Sequence, residues 1–517
     1  MNTAIARGGF VHYLVSNIEA TGKNPKRVIT GFFAAWILFA LILWVFPRPE
    51  GLSQHGMAVL AIVVWASIMW VSEALPVGIT GISVPTLLIL THGIAWVEKK
   101  GHLVPPMHIV FSGFTKHVVW LSLFAFLVGA MMQLLKLDRR IALGVLDKIK
   151  ASNVGRVIWG MFFVNIILAF LIPAANARAA TLLPVVKGIT NLLGDSPEEK
   201  EAKKAILIQS LVYGTMICGV FILTAHLPNL IMVGIFSNNG FEGLGYLDWM
   251  LLQFPYLGMF VLTQWWVRYH FNTGGIKIAG GHERIHAEHK SLGKMSTSEW
   301  MLVSVFVIIA LLFMMGKGSP IIELHGFKLG VIGLVGILIL FTPGLFPFTW
   351  NQVQAKTIWG TFLLLGGAIT MTAAMSKSGL AQWLADGIHG AVVGHSWYMI
   401  LLIMMAGTHI IRIGMLSNVA AIAMLAPIVF AMAPALNLHP VAFTLLVCDT
   451  DTYAYLLPTQ ITAAVIAYGS DEFSVADYAK AGWVCVLIAI AYGILIIAPW
   501  YAFLGLPVWD ATVPWPF

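Results

Sequence analysis

The sequence predicts an all-α polytopic membrane protein with about eleven transmembrane helices and two re-entrant hairpins in an inverted repeat. Three features predict it: few charges, many long apolar runs, and two pairs of apolar arms joined at small polar breaks. Of 517 residues, 30 are Lys or Arg and 23 Asp or Glu, while 59% are hydrophobic and the mean hydropathy is +0.86. Soluble domains carry about 25% charged residues, so the 10% here cannot solvate a globular surface. The 30 Phe and 19 Trp exclude disorder and fibrous repeats. The formal charge of +7 does not point to nucleic acid, because the basic residues fall between apolar segments and form no basic face. Cys218, Cys448 and Cys485 lie inside apolar runs, which argues against a disulfide framework or a multi-cysteine metal site.

Residues 1–27 read as a cytoplasmic tail, since they lack a secretory apolar core and Lys23, Lys26 and Arg27 precede the first long apolar run. Residues 28–517 then read as a single transmembrane transporter domain. Its first repeat covers about 57–267, a hydrophilic cytoplasmic loop about 268–298, and the second repeat about 299–505. Spans are expected near 28–46, 57–75, 77–94, 118–135, 205–234, 247–267, 300–315, 329–343, 358–375, 441–468 and 482–505, because a crossing takes roughly 20 apolar residues.

Two further apolar regions read as hairpins. Residues 157–193 break at Ala174-Ala175-Asn176-Ala177-Arg178, and residues 397–436 break at Ser417-Asn418-Val419 after an arm to Leu416. Lipid tolerates such irregular backbone only where protein or a wet cavity covers it. With the N-terminus inside, 21 Lys and Arg fall on the cytoplasmic side against 7 outside, which sets the orientation and puts the C-terminus outside. Val119-Trp120 and Gly129-Ala130 before the first hairpin recur as Ile358-Trp359 and Gly367-Ala368 before the second. Inverted repeats with interrupted helices point to a secondary transporter with its site at the midplane.

Each hairpin tip aims a helix N-terminus into the membrane, and two such ends suit a divalent anion. After each hairpin comes an interrupted span. The first carries Tyr213-Gly214-Thr215 and Thr224-Ala225-His226-Leu227-Pro228-Asn229; the second carries Asp449-Thr450-Asp451-Thr452 and Leu457-Pro458-Thr459-Gln460-Ile461-Thr462. Unwound carbonyls and side-chain oxygens of this kind suit a sodium ion.

These tips, Leu364-Leu365-Gly366-Gly367-Ala368, Lys377-Ser378-Gly379-Leu380-Ala381 and Leu457-Pro458-Thr459-Gln460 resemble the divalent anion:sodium symporter family, over nearly the whole chain from the second span onward. The resemblance implies an eleven-helix inverted-repeat fold, sodium-coupled dicarboxylate transport by an elevator-like motion in the cell (inner) membrane, and a homodimer. It gives Ser417 and Asn418 the second tip's role. Substrate contacts are then expected from Asn176, Arg178, Ser417, Asn418, His226, Pro228, Asn229, Pro458 and Thr459. Sodium contacts are expected from Asn176, Thr224, Ser417, Asn418, Thr459, Thr462 and Asp451. No other metal, no organic cofactor and no catalytic residue is expected.

The sequence departs from the family at both tips. Val419 replaces the Thr of the second Ser-Asn-Thr triplet, and the first tip offers only the Asn176 side chain, with Arg178 two residues on. Arg178 can hold a carboxylate through its fork or stand in for an ion, which leaves sodium-independent exchange as an alternative. A structural salt bridge from Arg178 to Asp449 or Asp451 is the other possibility, and a structural role is favoured for Arg412. Sulfate or sulfonate transport, and Na+/H+ antiport through Asp449 or Asp451, also stay open. Asp449 and Asp451, two residues apart, are expected on different helix faces, and Glu73 either at a helix end or in a cavity. His282-Glu283-Arg284-Ile285-His286 matches the zinc motif H-E-x-x-H, but in a hydrophilic loop whose only distant ligand candidate is Asp386. Protease chemistry is therefore a remote alternative.

Overall fold

The computed structural model describes residues 13–20, 24–99, 102–315, 328–392, 394–415 and 417–517. Most of the expected N-terminal tail, together with Lys100, Lys317 and Leu416, lies outside these residues. The chain divides into two compact units. One comprises the described residues up to Phe114 with Trp359–Leu384; the other comprises Thr115–Ile358 with Ala385–Phe517.

The first unit opens on α1 (Pro25–Ala40), α2 (Gln54–Ser72) and α3 (Val77–Leu90). Asn24 and Ser53 accept from the Arg27 and Gly56 amides, satisfying donors that a helix start leaves open. Glu73 closes α2 in the left-handed conformation at φ 52°, the helix-end position anticipated as one of its two places. A two-stranded antiparallel hairpin, β1 (Val97–Lys99) with β2 (His102–Val104), is an addition to the all-α expectation. In the second unit follow α4 (His117–Leu135), α5 (Leu137–Lys148), α6 (Val154–Leu171), α7 (Ala175–Thr190), α8 (Pro197–Phe221), α9 (Leu227–Asn238), α10 (Tyr246–Gln253), α11 (Tyr256–His270), α12 (Gly281–Ser291), α13 (Thr297–Met314), α14 (Leu329–Leu340) and α15 (Trp350–Lys356). Next come α16 (Trp359–Lys377), α17 (Leu380–Val392), α18 (Trp397–Arg412), α19 (Asn418–Met432), α20 (Pro440–Thr452), α21 (Thr462–Tyr468) and α22 (Val475–Phe503).

Seven of the described helices are long and apolar enough to cross a membrane, and shorter apolar helices include both arms of the second hairpin. Within the first unit, α16 packs on α3 through glycines. A Cβ on Gly81 would sit 2.7 Å from the Leu364 Cα, and one on Gly367 would sit 2.1 Å from the Gly81 carbonyl oxygen. Membrane helices gain contact this way because lipid offers no hydrophobic drive between them.

Helix chemistry explains what hydropathy missed. The fifth span begins at Pro197 rather than near 205, because Ser196 and Glu199 form a capping box ahead of a charged first turn. The stretch 268–298, expected as a hydrophilic loop, carries polar α12, which is docked on α5 by ion pairs between Arg139 and Glu288 and between Asp147 and the α12 histidines.

Both hairpins form where the sequence placed them. Helix α6 ends at Leu171, extended Ile172-Pro173-Ala174 turns the chain, and α7 begins at Ala175. Helix α18 ends at Arg412, and Ser417, extended at φ −134°, caps α19 with its hydroxyl oxygen 3.3 Å from the Ala420 amide. Of the polar breaks expected in the spans that follow, one forms in each: α8 and α9 are separated at Ile222–His226, and α20 and α21 at Tyr453–Ile461, while Tyr213-Gly214-Thr215 and Asp449-Thr450-Asp451-Thr452 stay helical.

Candidate functional site

One cavity, within the second unit, gathers both tips and both breaks. Ala174, Ala175 and Asn176 come from the first tip, and Ser417, Asn418 and Val419 from the second. His226 and Leu227 come from the first break, Ile461 and Thr462 from the second, and Met216 adds an apolar wall. Space for water centres is about 30 Å³, room for one or two waters. The N-termini of α7, α9, α19 and the short α21 all open onto it. The positive dipole ends of α7, α9 and α19 make the cavity attractive to anions without any side-chain charge.

The expected contacts divide at this cavity. Asn176, His226, Ser417, Asn418 and Thr462 line it. Arg178, Thr224, Pro228, Asn229, Pro458, Thr459 and Asp451 are not among its lining residues. Thr224 lies 3.0 Å, hydroxyl to hydroxyl, from buried Tyr246. Asn229 donates to the Gly219 and Ile222 carbonyls at 2.9 and 3.0 Å, satisfying orphan acceptors at the end of α8. Thr459 is exposed, and Pro458 starts the short 3-10 turn Pro458–Gln460.

Arg178 is fully buried and reaches backbone instead of the cavity. Its Nη1 donates to the Ile172 and Ala225 carbonyls, both at 2.7 Å, and its Nη2 to the Thr215 carbonyl at 2.9 Å. Gly219 makes room for the head group, since a Cβ there would lie 3.1 Å from Nη2. The guanidinium therefore ties the first tip to both sides of the first break, inside a shell of carbonyl oxygens. The salt bridge to Asp449 or Asp451 is absent among the described residues.

Arg412 occupies the matching place at the second tip. Its Nη1 donates to the Met415 carbonyl at 3.4 Å, and its Nη2 to the Gln460 carbonyl at 2.9 Å and to the Asn418 side-chain oxygen. Each arginine thus holds one carbonyl just before its tip and one in the facing break. Arg412 alone has an acidic neighbour, Asp451, with Nε 3.3 Å from Oδ2. The two aspartates do face different ways, as their spacing requires. Asp449 accepts from Gln253 Nε2 at 2.7 Å, and the Tyr501 hydroxyl donates to Gln253 Oε1 at 3.1 Å. Neither aspartate lines the cavity.

Sequence reasoning missed Met216, Leu227 and Ile461, which carry no polar signal, and gave Arg412 no site role. Its position before a tip, as a counterpart to Arg178 after one, was the available clue.

The H-E-x-x-H segment forms α12, where His286 and His289 place Nδ1 at 3.1 and 2.9 Å from Asp147 carboxylate oxygens and His282 lies 3.7 Å away. Among the described residues no group of His, Cys, Asp and Glu is arranged to hold a metal ion.

The family model described as the sodium:sulfate symporter transmembrane region matches residues 28–507. A Cupriavidus necator protein named only as a membrane protein is 28% identical over 94% of this chain and 95% of its own. The sodium-dependent dicarboxylate transporter SdcS of Staphylococcus saprophyticus is 25% identical over 99% and 98%, and that of Staphylococcus aureus 25% over 95% and 94%. Among solved structures, the Neisseria gonorrhoeae efflux pump MtrF aligns with a TM-score of 0.55 at 14% identity, covering 87% of this chain and 99% of its own. The Alcanivorax borkumensis YdaH transporter aligns with a TM-score of 0.52 at 14% identity, covering 84% and 99%. At that identity the likeness shows the fold alone. With a match spanning residues 28–507, the chain belongs to the sodium:sulfate symporter transmembrane family, the divalent anion:sodium symporters.

Proposed function

We propose that the chain is a secondary active transporter of small dianions, C4-type dicarboxylates first among them, working by elevator-like alternating access. As a member of a transporter family it is a multi-pass membrane protein and not an enzyme. The observation that carries the substrate class is the cavity where the N-termini of α7, α9 and α19 meet beside Asn176 and Asn418. Two carboxylates need two donor-rich ends, and the two tips supply them. The names of the staphylococcal relatives support a dicarboxylate.

With room for one or two waters, the cavity must widen to load a C4 dicarboxylate, and a parting of the two tips would widen it. The orientation is that of the basic-residue bias, with a cytoplasmic N-terminus and an outward C-terminus in the cell membrane, and the family resemblance supports a homodimer.

Sodium coupling is supported by the relatives' names. A second reading, exchange without sodium at the first tip, is favoured by Arg178, which fills with a fixed cation the carbonyl shell an ion would take.

Purified protein in liposomes loaded with unlabelled succinate should take up labelled succinate. Uptake of sulfate with no uptake of succinate or malate would sink the dicarboxylate assignment, and uptake of neither would sink the dianion assignment.

A further inference from the structure

We propose that the end of α11 is a binding site for an anionic phospholipid, with the headgroup against Arg268 and the acyl chains along the lipid-facing stripe of the same helix. This end lies on the face that the basic-residue bias makes cytoplasmic. The proposal is independent of the dianion reading, since none of its residues lines the cavity between the tips.

The site is an open cavity of about 690 Å³ lined by Trp265, Arg268, Tyr269, His270, Asn272 and Gly274, all within the second unit. Arg268 is its unspent cation. The side chain makes no hydrogen bond or ion pair among the described residues, and Nε is buried without a partner. Its guanidinium packs on the first turn of α6, where a Cβ on Gly155 would lie 3.2 Å from Nη1. A positive group set against the positive end of a helix is unfavourable until an anion joins them.

The fold adds further cations to this corner. The Val154 amide donates to the Ile276 carbonyl at 3.3 Å and the Ile278 amide to the Ser152 carbonyl at 2.9 Å, with Asn153 paired to Lys277 between them. Exposed Lys277 is thereby stitched to the turn that carries exposed Arg156. Arg156 Nη1 is weakly held, at 3.4 Å from both the Lys150 carbonyl and the Ser152 hydroxyl. Carboxylates do not neutralise the group. His270 faces Glu201 and Asp477, but Lys204 holds both, at 2.6 and 3.3 Å, and Asp147 is taken by the α12 histidines.

The aromatic stripe decides for a lipid over a soluble anion. Along α11, Val261, Leu262, Trp265 and Tyr269 are 51%, 42%, 66% and 70% exposed. Val261, Trp265 and Tyr269 follow one another at helical-turn spacing, so one face runs from apolar depth to the cations. The Trp265 and Tyr269 rings stack at 5.9 Å. Trp and Tyr sit at headgroup level, and basic clusters beside a span attract anionic lipid. A soluble anion would use the cations alone, whereas a phospholipid uses the cations and the stripe. Trp266 holds the helix end in place by donating Nε1 to the Ala481 carbonyl at 2.9 Å. A lipid bound here ties the base of α6, the first arm of the first hairpin, to α11.

The test is binding of phosphatidylglycerol and of phosphatidylcholine to the delipidated, detergent-purified full-length protein, resolved by native mass spectrometry. The first phosphatidylglycerol should bind at least about fivefold more tightly than the first phosphatidylcholine, the worth of one surface cation. Arg268→Gln should cut that preference about fivefold, and Arg156→Gln, at an exposed side chain, by a similar factor. Should Arg268→Gln fail to fold, Arg156→Gln decides alone. Equal affinity for the two lipids in the wild type overturns the proposal, as does full preference in the folded variants. Displacement of the lipid by an equal concentration of glycerol 3-phosphate would also overturn it, by showing a site for a soluble anion.

Discussion

Arg412 and Asp451 meet at 3.3 Å with both side chains at 0% exposure, one residue removed from the cavity through Asn418. A buried pair of this kind is weak evidence for stability, yet removing one partner strands the other's charge. Arg412→Ala should lower stability by about 3–5 kcal/mol, the usual cost of an uncompensated buried charge. Replacing both residues, Arg412→Met with Asp451→Leu, should recover at least half of that loss. Thermal melting of the detergent-purified variants decides it, and a double variant no better than the single one would show that the charge pairing is not the source.

Arg178 differs because its shell is all carbonyl oxygen. Hydrogen bonds from a charged donor are worth about 1.5–3 kcal/mol each, and Lys cannot reproduce the fork. Arg178→Lys and Arg178→Ala should both cut succinate transport by at least about tenfold, on the scale of one such bond. Free guanidinium ion or sodium, each able to occupy a carbonyl shell, should restore part of the activity of Arg178→Ala. Wild-type transport by that variant without any added cation would remove Arg178 from the mechanism.

The two asparagine classes should separate kinetically. Asn176 and Asn418 line the cavity, so Asn176→Ala and Asn418→Ala should raise KM for succinate by about tenfold or more, the worth of one charged hydrogen bond. Asn229 caps the end of α8 instead. Its alanine variant should lower the melting temperature while KM stays within about twofold, because uniform binding is untouched. Kinetics and melting curves on the same preparations check both halves of this contrast.

On the cytoplasmic surface expected from the charge bias, Asp147 gathers His282, His286 and His289. Burial alone would raise its carboxyl, but hydrogen bonds from His289 and His286 outweigh that and hold it below the usual carboxylate range. A depressed carboxyl stabilises above its unfolded value and loses that contribution as pH falls through the folded one. Docking of α12 on α5 should therefore be strong above the ordinary carboxylate range and weaken below it. Asp147→Asn should speed amide exchange across Gly281–Ser291 at neutral pH, and unchanged exchange would show that other contacts hold α12.

Much of this was legible in the sequence for a physical reason: lipid imposes a length and a hydropathy on every span. The breaks at Ala174–Arg178, Ser417–Val419, Thr224–Asn229 and Leu457–Thr462 stood out because polar residues at membrane depth are rare. Side-chain direction was not legible. Arg178 looked like a substrate ligand, yet it turns to backbone carbonyls, and Asn229 turns to the helix it follows. Met216, Leu227 and Ile461 reach the cavity through tertiary placement alone. The polar helices α5 and α12 carry no hydropathy signal, because ion pairs between them, and not lipid, set their position.

The central claim is that both tips hold one dianion. Labelled succinate binding to the purified wild-type protein, compared with the Asn176→Ala and Asn418→Ala variants in one preparation series, tests it most directly. The account predicts saturable one-site binding that weakens by at least about tenfold in each variant. Wild-type affinity in both folded variants would contradict it.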